Sequence, residues 1–321
     1  MHVPAELEAL RRDHTLQRRA QSAVQAGLAQ WQDRCGYPAL LEDLAGFAAG
    51  AGIDGLPRLA SLFAAGSTAP QELVGELVRV LTAQLAEQPL GHVPLRHHSD
   101  AVITSLLLAR SGGATLSLEA IDGAELARCP APVSVSFSPS ETWEYVLAGS
   151  ARIDRFRLGM TRGDYAELHR DAIDLAAGMV SHRDGAGEAL MLRSVPRSLI
   201  TLKLQRRPGR GVVVREYALA DGRLLHEAAA HSQDSRLELA AALLGRMGRN
   251  DAAPLLAAMA LEPGGRSLRW QALRECLGLD SVVGFAAVSR LAGRTADPLA
   301  APAAALRQQL LATYPQLAAL A

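Results

Sequence analysis

Lysine and asparagine are nearly absent from this chain. Among 321 residues Lys203 is the one lysine and Asn250 the one asparagine; the other basic residues are arginine. No GxxxxGK[ST] phosphate loop exists, and Schiff-base chemistry would have to run through Lys203. A Cys–His–Asn arrangement would depend on Asn250 alone, and no GxSxG elbow occurs. Cys35, Cys129 and Cys276 are few and far apart, with no CxxC, which points to neither a disulfide framework nor a thiolate zinc site. Aromatic residues make up 4% of the chain, so recognition of bases or sugars by stacking is a poor expectation. Net charge is also missing: 33 basic residues balance 33 acidic ones, which argues against a nucleic-acid partner. No apolar run is long enough for a bilayer, and the N-terminal text is charged and helix-like, without a signal-peptide core. The expectation is a cytoplasmic protein with no membrane partner. The Ala, Arg, Leu and Gly bias suggests a GC-rich bacterial source.

What is present is a globular composition, 49% apolar and 21% charged, at a length that suits two domains or one with helical extensions. Three stretches differ in period, so the expected division is 1–91, 92–230 and 231–321. The first is helical. Leu7, Leu10, Val24, Leu28 and Trp31 share a register interrupted by His14, Gln17 and Gln21, which suits a helix lying on a neighbour better than a coiled coil. Thr68-Ala69-Pro70-Gln71 opens a later helix striped by Leu73, Val74, Leu77, Val80 and Leu81. Gly50-Ala51-Gly52-Ile53-Asp54-Gly55 spells GxGxxG, but no strand pattern precedes it, so it is read as a chance match.

From His92 the period falls to two residues. Ala101–Leu108, Ala114–Ile121, Ala189–Leu192, Leu199–Leu204 and Gly211–Tyr217 read as strands, with a polar excursion expected from Gly159 to Arg170. The centre is Ser136-Phe137-Ser138-Pro139-Ser140-Glu141-Thr142-Trp143-Glu144-Tyr145-Val146-Leu147-Ala148-Gly149, followed by the alternating run Arg152–Phe156. This resembles the first motif of the cupin superfamily, in which a His-x-His pair precedes a Glu and a Tyr-Val-Leu-x-Gly run. Here Ser136 and Ser138 stand where the histidines belong, and Glu141 takes the place of the ligand carboxylate. Arg193–Leu202 resembles the back half of a cupin barrel, and the continuation Arg215–Gly222 is similar in layout to the tail of the cysteine-dioxygenase-like branch. That branch keeps a further metal-binding His where this chain has Leu190, Met191 and Leu192. The resemblance implies an α+β chain built on an antiparallel jelly-roll β-barrel, degenerate at its metal site.

After His231 the helical period returns. Leu239, Leu243 and Met247 recur every four residues, and Ala242-Leu243 and Ala272-Leu273 align at an offset of roughly 30; paired antiparallel helices repeated in this way resemble HEAT-like units. Two such units are too few to stand alone and should dock on the barrel or on a partner.

Two functional readings follow. In the first, the chain is a non-catalytic accessory or regulatory protein that binds a small molecule or a protein partner, with self-association open and no cofactor needed. Ser136, Ser138, Glu141, Arg193 and Arg197 are its expected ligand-binding residues. In the second, His98 and Asp100 on one strand face join His182 in a non-haem Fe(II) oxygenase site, with Arg193 or Arg197 holding a carboxylate. His226-Glu227-Ala228-Ala229-Ala230-His231 is set aside as a zinc-protease motif: its histidines are five apart, about 140° around a helix. Arg11, Arg12, Arg18 and Arg19, and Arg206, Arg207 and Arg210, are read as solvated basic faces; the first group could also meet an acidic partner surface.

Overall fold

The computed structural model describes residues 13–207, 209 and 211–320; Leu7, Leu10, Arg11, Arg12 and Arg210 lie outside them. In chain order the elements are helices α1 (Thr15–Arg34), α2 (Tyr37–Ala48), α3 (Pro57–Leu62) and α4 (Ala69–Glu87), then strands β1 (His97–Ser99), β2 (Ile103–Ser111) and β3 (Ala114–Asp122). Next come α5 (Gly123–Arg128), β4 (Ser134–Phe137), β5 (Glu141–Arg162), β6 (Tyr165–Ala176), β7 (Val180–Asp184), β8 (Glu188–Ser194) and β9 (Ser198–Arg206). The chain ends with β10 (Val213–Ala218), β11 (Leu224–Ala229), α6 (Ser232–Arg246), α7 (Ala253–Leu261), α8 (Arg266–Leu279), α9 (Ser281–Ala292) and α10 (Ala300–Thr313). Helices and antiparallel sheets thus combine as the α+β class requires. Two compact units emerge: Met1–Pro132 with Ser140–Gly159 and Leu168–Arg207, and Val133–Pro139 with Met160–Glu167 and Pro208–Ala321.

In the first unit the large sheet runs β1-β2-β3-β9-β5-β6, with β7 and β8 also paired to β5. The expected closed barrel is not what forms. Closure needs the two end strands to pair, and here the ends are the three-residue β1 and β6, with no pairing between them. Strand β5 explains the shape. Its first half lies between β9 and β7, and its second half takes β8 from Arg152 onward. The change falls just after Gly149, which has φ +86° and a backbone so close to the Ser198 carbonyl that a Cβ would collide with it. The expected polar excursion is also absent. Gly159–Arg170 continues as strand, turning at Gly163, because ladder hydrogen bonds do not require apolar alternation when both faces are wet.

Helices α1–α4 cover one face of this sheet. Val24, Leu28 and Trp31 of α1, Leu44 and Phe47 of α2, and Val74, Leu77 and Leu81 of α4 enclose Leu108, Leu116, Tyr145, Leu202 and Leu204. Each such side chain, fully buried, contributes about 1.5–3 kcal/mol. Polar ties fix the docking: Trp31 Nε1 donates to the Leu73 carbonyl at 3.1 Å and Tyr37 Oη to that of Leu108 at 3.1 Å. Helix α4 starts where Ser67 Oγ accepts the Ala69 amide and Pro70 sets the first turn. The GxGxxG stretch follows α2 and contains a single 3-10 turn, Ile53–Gly55, so no strand feeds it.

In the second unit β11, β10 and β4 form a three-stranded sheet, where Phe137 and Tyr217 meet edge to face at 6.0 Å. Its helical core gathers Ala241, Leu256, Leu273, Cys276, Val288 and Leu291. Burial pushes the Cys276 thiol up to about 11. Asp280 caps α9 by accepting the Val282 and Val283 amides, whereas Asp251 pairs with Arg249. His226 and Glu227 lie on β11 and His231 caps α6, so that six-residue segment is not one helix. Among the described residues no helix is long and apolar enough to cross a membrane.

Candidate functional site

Strand alternation sorts the chemistry of the large sheet. Register pairs Glu144 of β5 with Lys203 of β9 on one side and Ser181 of β7 on the other. Thr201 of β9 pairs with Glu119 of β3, so these side chains share the face turned away from the helices. On that face four charges alternate across four strands. Lys203 Nζ lies 3.3 Å from the Glu119 carboxylate and 3.8 Å from that of Glu144, and Arg183 grips Glu144 through two bonds of 3.1 and 3.2 Å. All four are part-buried, with side chains 16–20% exposed.

Burial by itself would raise the Glu144 carboxyl, but the Arg183 guanidinium, with Lys203 behind it, outweighs this and holds it below the usual carboxylate value. The ladder borders a cavity of about 170 Å³. Ser181 and Thr201 add hydroxyls, and Ile103, Ile121, Val146, Ile153, Leu175, Leu190, Leu192 and Leu199 form apolar walls. Thr142, two residues before Glu144 on the same strand face, is 1% exposed and leaves its Oγ1 without a partner among the described residues. A hollow of about 230 Å³ also lies among α1–α4, beside Cys35, Arg58 and Glu72. Its lining includes the pair of Arg34, 52% exposed, with Glu76.

The ligand-binding and metal residues expected from the sequence lie elsewhere. Glu141 is on the helix-facing side of β5, where it binds Trp143 Nε1 at 3.2 Å, His182 Nε2 at 3.3 Å and the Arg206 guanidinium. Arg206 in turn donates to the Phe47 carbonyl and lies over the Phe47 ring, so Glu141 helps dock α2. Ser136 and Ser138 are exposed and belong to the second unit, while Glu141, Arg193 and Arg197 belong to the first. Arg193 binds Asp154, a buried carboxylate also held by Arg170 at 2.7 Å. Arg197 is exposed, and its carbonyl accepts the Gly123 amide. His98 and Asp100 are exposed at and just beyond β1, 3.9 Å apart, and Asp100 accepts the Val102 and Ile103 amides. His182 stacks on Trp143 with ring centres 4.1 Å apart. Among the described residues no three His, Cys, Asp or Glu side chains come together as a metal site.

Sequence reading had set Lys203 apart by its rarity and had passed over Glu119, Glu144 and Arg183 as site residues. The signal that could have found them is the polar residue at alternate positions of otherwise apolar strands, as in Leu199-Ile200-Thr201-Leu202-Lys203-Leu204.

Fold and cavity together define a class: an antiparallel sheet with helices on one face and a charged, ligand-sized hollow on the other. No family model and no curated protein matches the chain. Solved structures share parts of it at low similarity. Ectoine synthase from P. lautus is 14% identical over 35% of this chain and 70% of its own, with a TM-score of 0.24. EutQ from Clostridium difficile is 11% identical over 32% and 61%, with a TM-score of 0.21. KdgF from Halomonas sp. is 12% identical over 35% and 87%, with a TM-score of 0.24. Likenesses of this size define no family for the chain.

Proposed function

We propose that this protein binds a small amphipathic molecule, in an accessory or regulatory role, with the ligand's polar end on the Glu119–Lys203–Glu144–Arg183 ladder. The observation that carries this is the ladder itself, placed at one side of a hollow whose other walls are apolar. The four charges sum to zero. A ligand with net charge would leave an uncompensated charge in poorly hydrated space, whereas an uncharged or zwitterionic one would not. The volume of about 170 Å³ is close to the roughly 150 Å³ that admits benzene, so the ligand is about the size of a six-membered ring. Binding is favoured over turnover because the charges engage one another, the Lys203 ammonium lying between two carboxylates.

The sheet is read as a degenerate cupin-like jelly roll on its strand pattern, and the C-terminal helices as HEAT-like on their spacing; a cytoplasmic setting is part of the same proposal. Fe(II) chemistry at His98, Asp100 and His182 requires the three to converge, and no observation favours it. Iron content after anaerobic Fe(II) loading of untagged protein is the measurement that would reopen it.

Lys203 supplies the test, because it is the one lysine of the chain, so acetylation at a lysine reports on this site alone. Short aliphatic amino acids and lactams that raise Tm should also protect Lys203 from acetylation, as read by peptide mass spectrometry. Thr201→Phe, which fills the hollow, should abolish both effects. If Tm rises without protection of Lys203, or rises equally in Thr201→Phe, the ligand is not in this cavity. If no compound does either, the reading is abandoned.

A further inference from the structure

Helix α6 and its C-cap residue Met247 present Leu239, Leu243 and Met247 at four-residue intervals, and all three are exposed, at 71%, 58% and 58%. The side it buries is marked by Ala241 and Asp234. Scattered exposed leucines need no explanation, but a continuous apolar ridge on one helix marks an interaction surface. Four-residue steps turn about 40° around the helix each time, forming the oblique ridge that packs across another helix at about −50°, not the straight seam of a coiled coil. Arg236 and Arg246 are exposed on the same helix, one near each end of the ridge, and neither ion-pairs with a described residue. They lie ten positions apart, about 15 Å along the axis.

We propose that this face docks an acidic amphipathic helix of a partner protein, whose carboxylates meet Arg236 and Arg246 while its apolar ridge interlocks with Leu239, Leu243 and Met247. Charge selects this occupant. Two copies of the same face would bring arginines against arginines, which costs binding. A lipid-surface helix needs a broad apolar face with bulky anchors, and this ridge is three side chains long, one wide, and has no aromatic.

The test measures fluorescence anisotropy of a labelled, designed helical peptide carrying a leucine ridge at four-residue spacing flanked by glutamates, titrated with the full chain. A second peptide has lysines in place of the glutamates. The glutamate peptide should bind at least about tenfold more tightly than the lysine peptide, a difference of about 1.4 kcal/mol. Leu243→Asp should abolish binding, and Arg236→Glu with Arg246→Glu should reverse the preference. Leu239→Gln serves as a second ridge variant, and unchanged circular dichroism shows that the variants fold. Equal affinity for both peptides, or none for the glutamate peptide, overturns the proposal. So does Leu243-dependent self-association in sedimentation velocity, which would make a second copy the occupant. Leu243-dependent binding to vesicles of anionic lipid would assign the face to a membrane and equally overturn it.

Discussion

On β9, Leu202 and Leu204 face the helices at 0% exposure, while their neighbours Thr201 and Lys203 face the cavity. On β5, Tyr145 is sealed under α4, while Glu144 and Val146 look the other way. The two faces therefore come from one set of strands and differ only in the parity of position. The helix face is held by shape, through close-packed leucines and aromatics with a few aimed hydrogen bonds. The cavity face pairs its charges with one another, and part of its surface borders the hollow. On the reading proposed above, the face that keeps a hollow serves a guest and the close-packed face serves stability.

The largest break in that contrast comes from the helix face. Leu204→Ala removes a side chain with no exposed surface from the junction of sheet and helices, and should cost about 3–5 kcal/mol in urea unfolding. A loss below about 1 kcal/mol would mean that the helices do not depend on this contact. Next is Glu144→Gln, which leaves Arg183 and one side of Lys203 without their carboxylate. Partial access to the cavity keeps the cost near 2–3 kcal/mol, below that of a sealed pair.

This second effect carries a pH signature. The Glu144 carboxyl is held below its usual value in the folded chain, so its contribution is complete above the unfolded value and is lost as pH falls through the folded one. The gap between wild type and Glu144→Gln should therefore be constant near neutrality and narrow between about pH 4.5 and the more acid folded value. A gap that widens on acidification would show that the carboxyl is not stabilised as an anion.

A smaller effect belongs to Tyr145→Phe. The phenol donates to the Ser67 carbonyl at 2.8 Å and accepts from Gln71 Nε2 at 2.6 Å, across the seam between β5 and α4. Its loss should cost about 1–2 kcal/mol and leave ligand binding unchanged, since the group is on the far side of the strand from the cavity.

Much of this was legible beforehand, and the failures have a common cause. The two-residue period marked most of the strands of the large sheet, and the returning helical period marked the C-terminal helices. The rarity of lysine drew attention to Lys203 before any partner was known. What could not be read was the parity of β5. Glu141 and Glu144 flank Trp143, and both rows of the strand mix polar with apolar residues. Only the pairing with β9 and β7, strands more than 35 positions later, decides that Glu144 faces the cavity and Glu141 the helices. The ladder is invisible for the same reason, since its four members come from strands adjacent in the sheet but scattered in the chain. Closure was misjudged because local pattern reports that a strand exists and says nothing about its neighbours.

The smallest expected change in stability comes from making the cavity face resemble the helix face. Glu119→Leu, Glu144→Leu, Arg183→Met and Lys203→Met together replace the whole ladder with apolar groups of similar volume. A part-buried cluster of charges gains attraction at the expense of hydration, so removing all members at once lacks the penalty of removing one. The quadruple variant should stay within about 1 kcal/mol of wild type, although Glu144→Gln alone costs more. It should also lose every ligand-induced rise in Tm, because the apolar walls remain but nothing is left to hold a polar end. If the quadruple variant instead falls by more than about 3 kcal/mol, the ladder stabilises the sheet in its own right, and the division between a face for stability and a face for a guest fails.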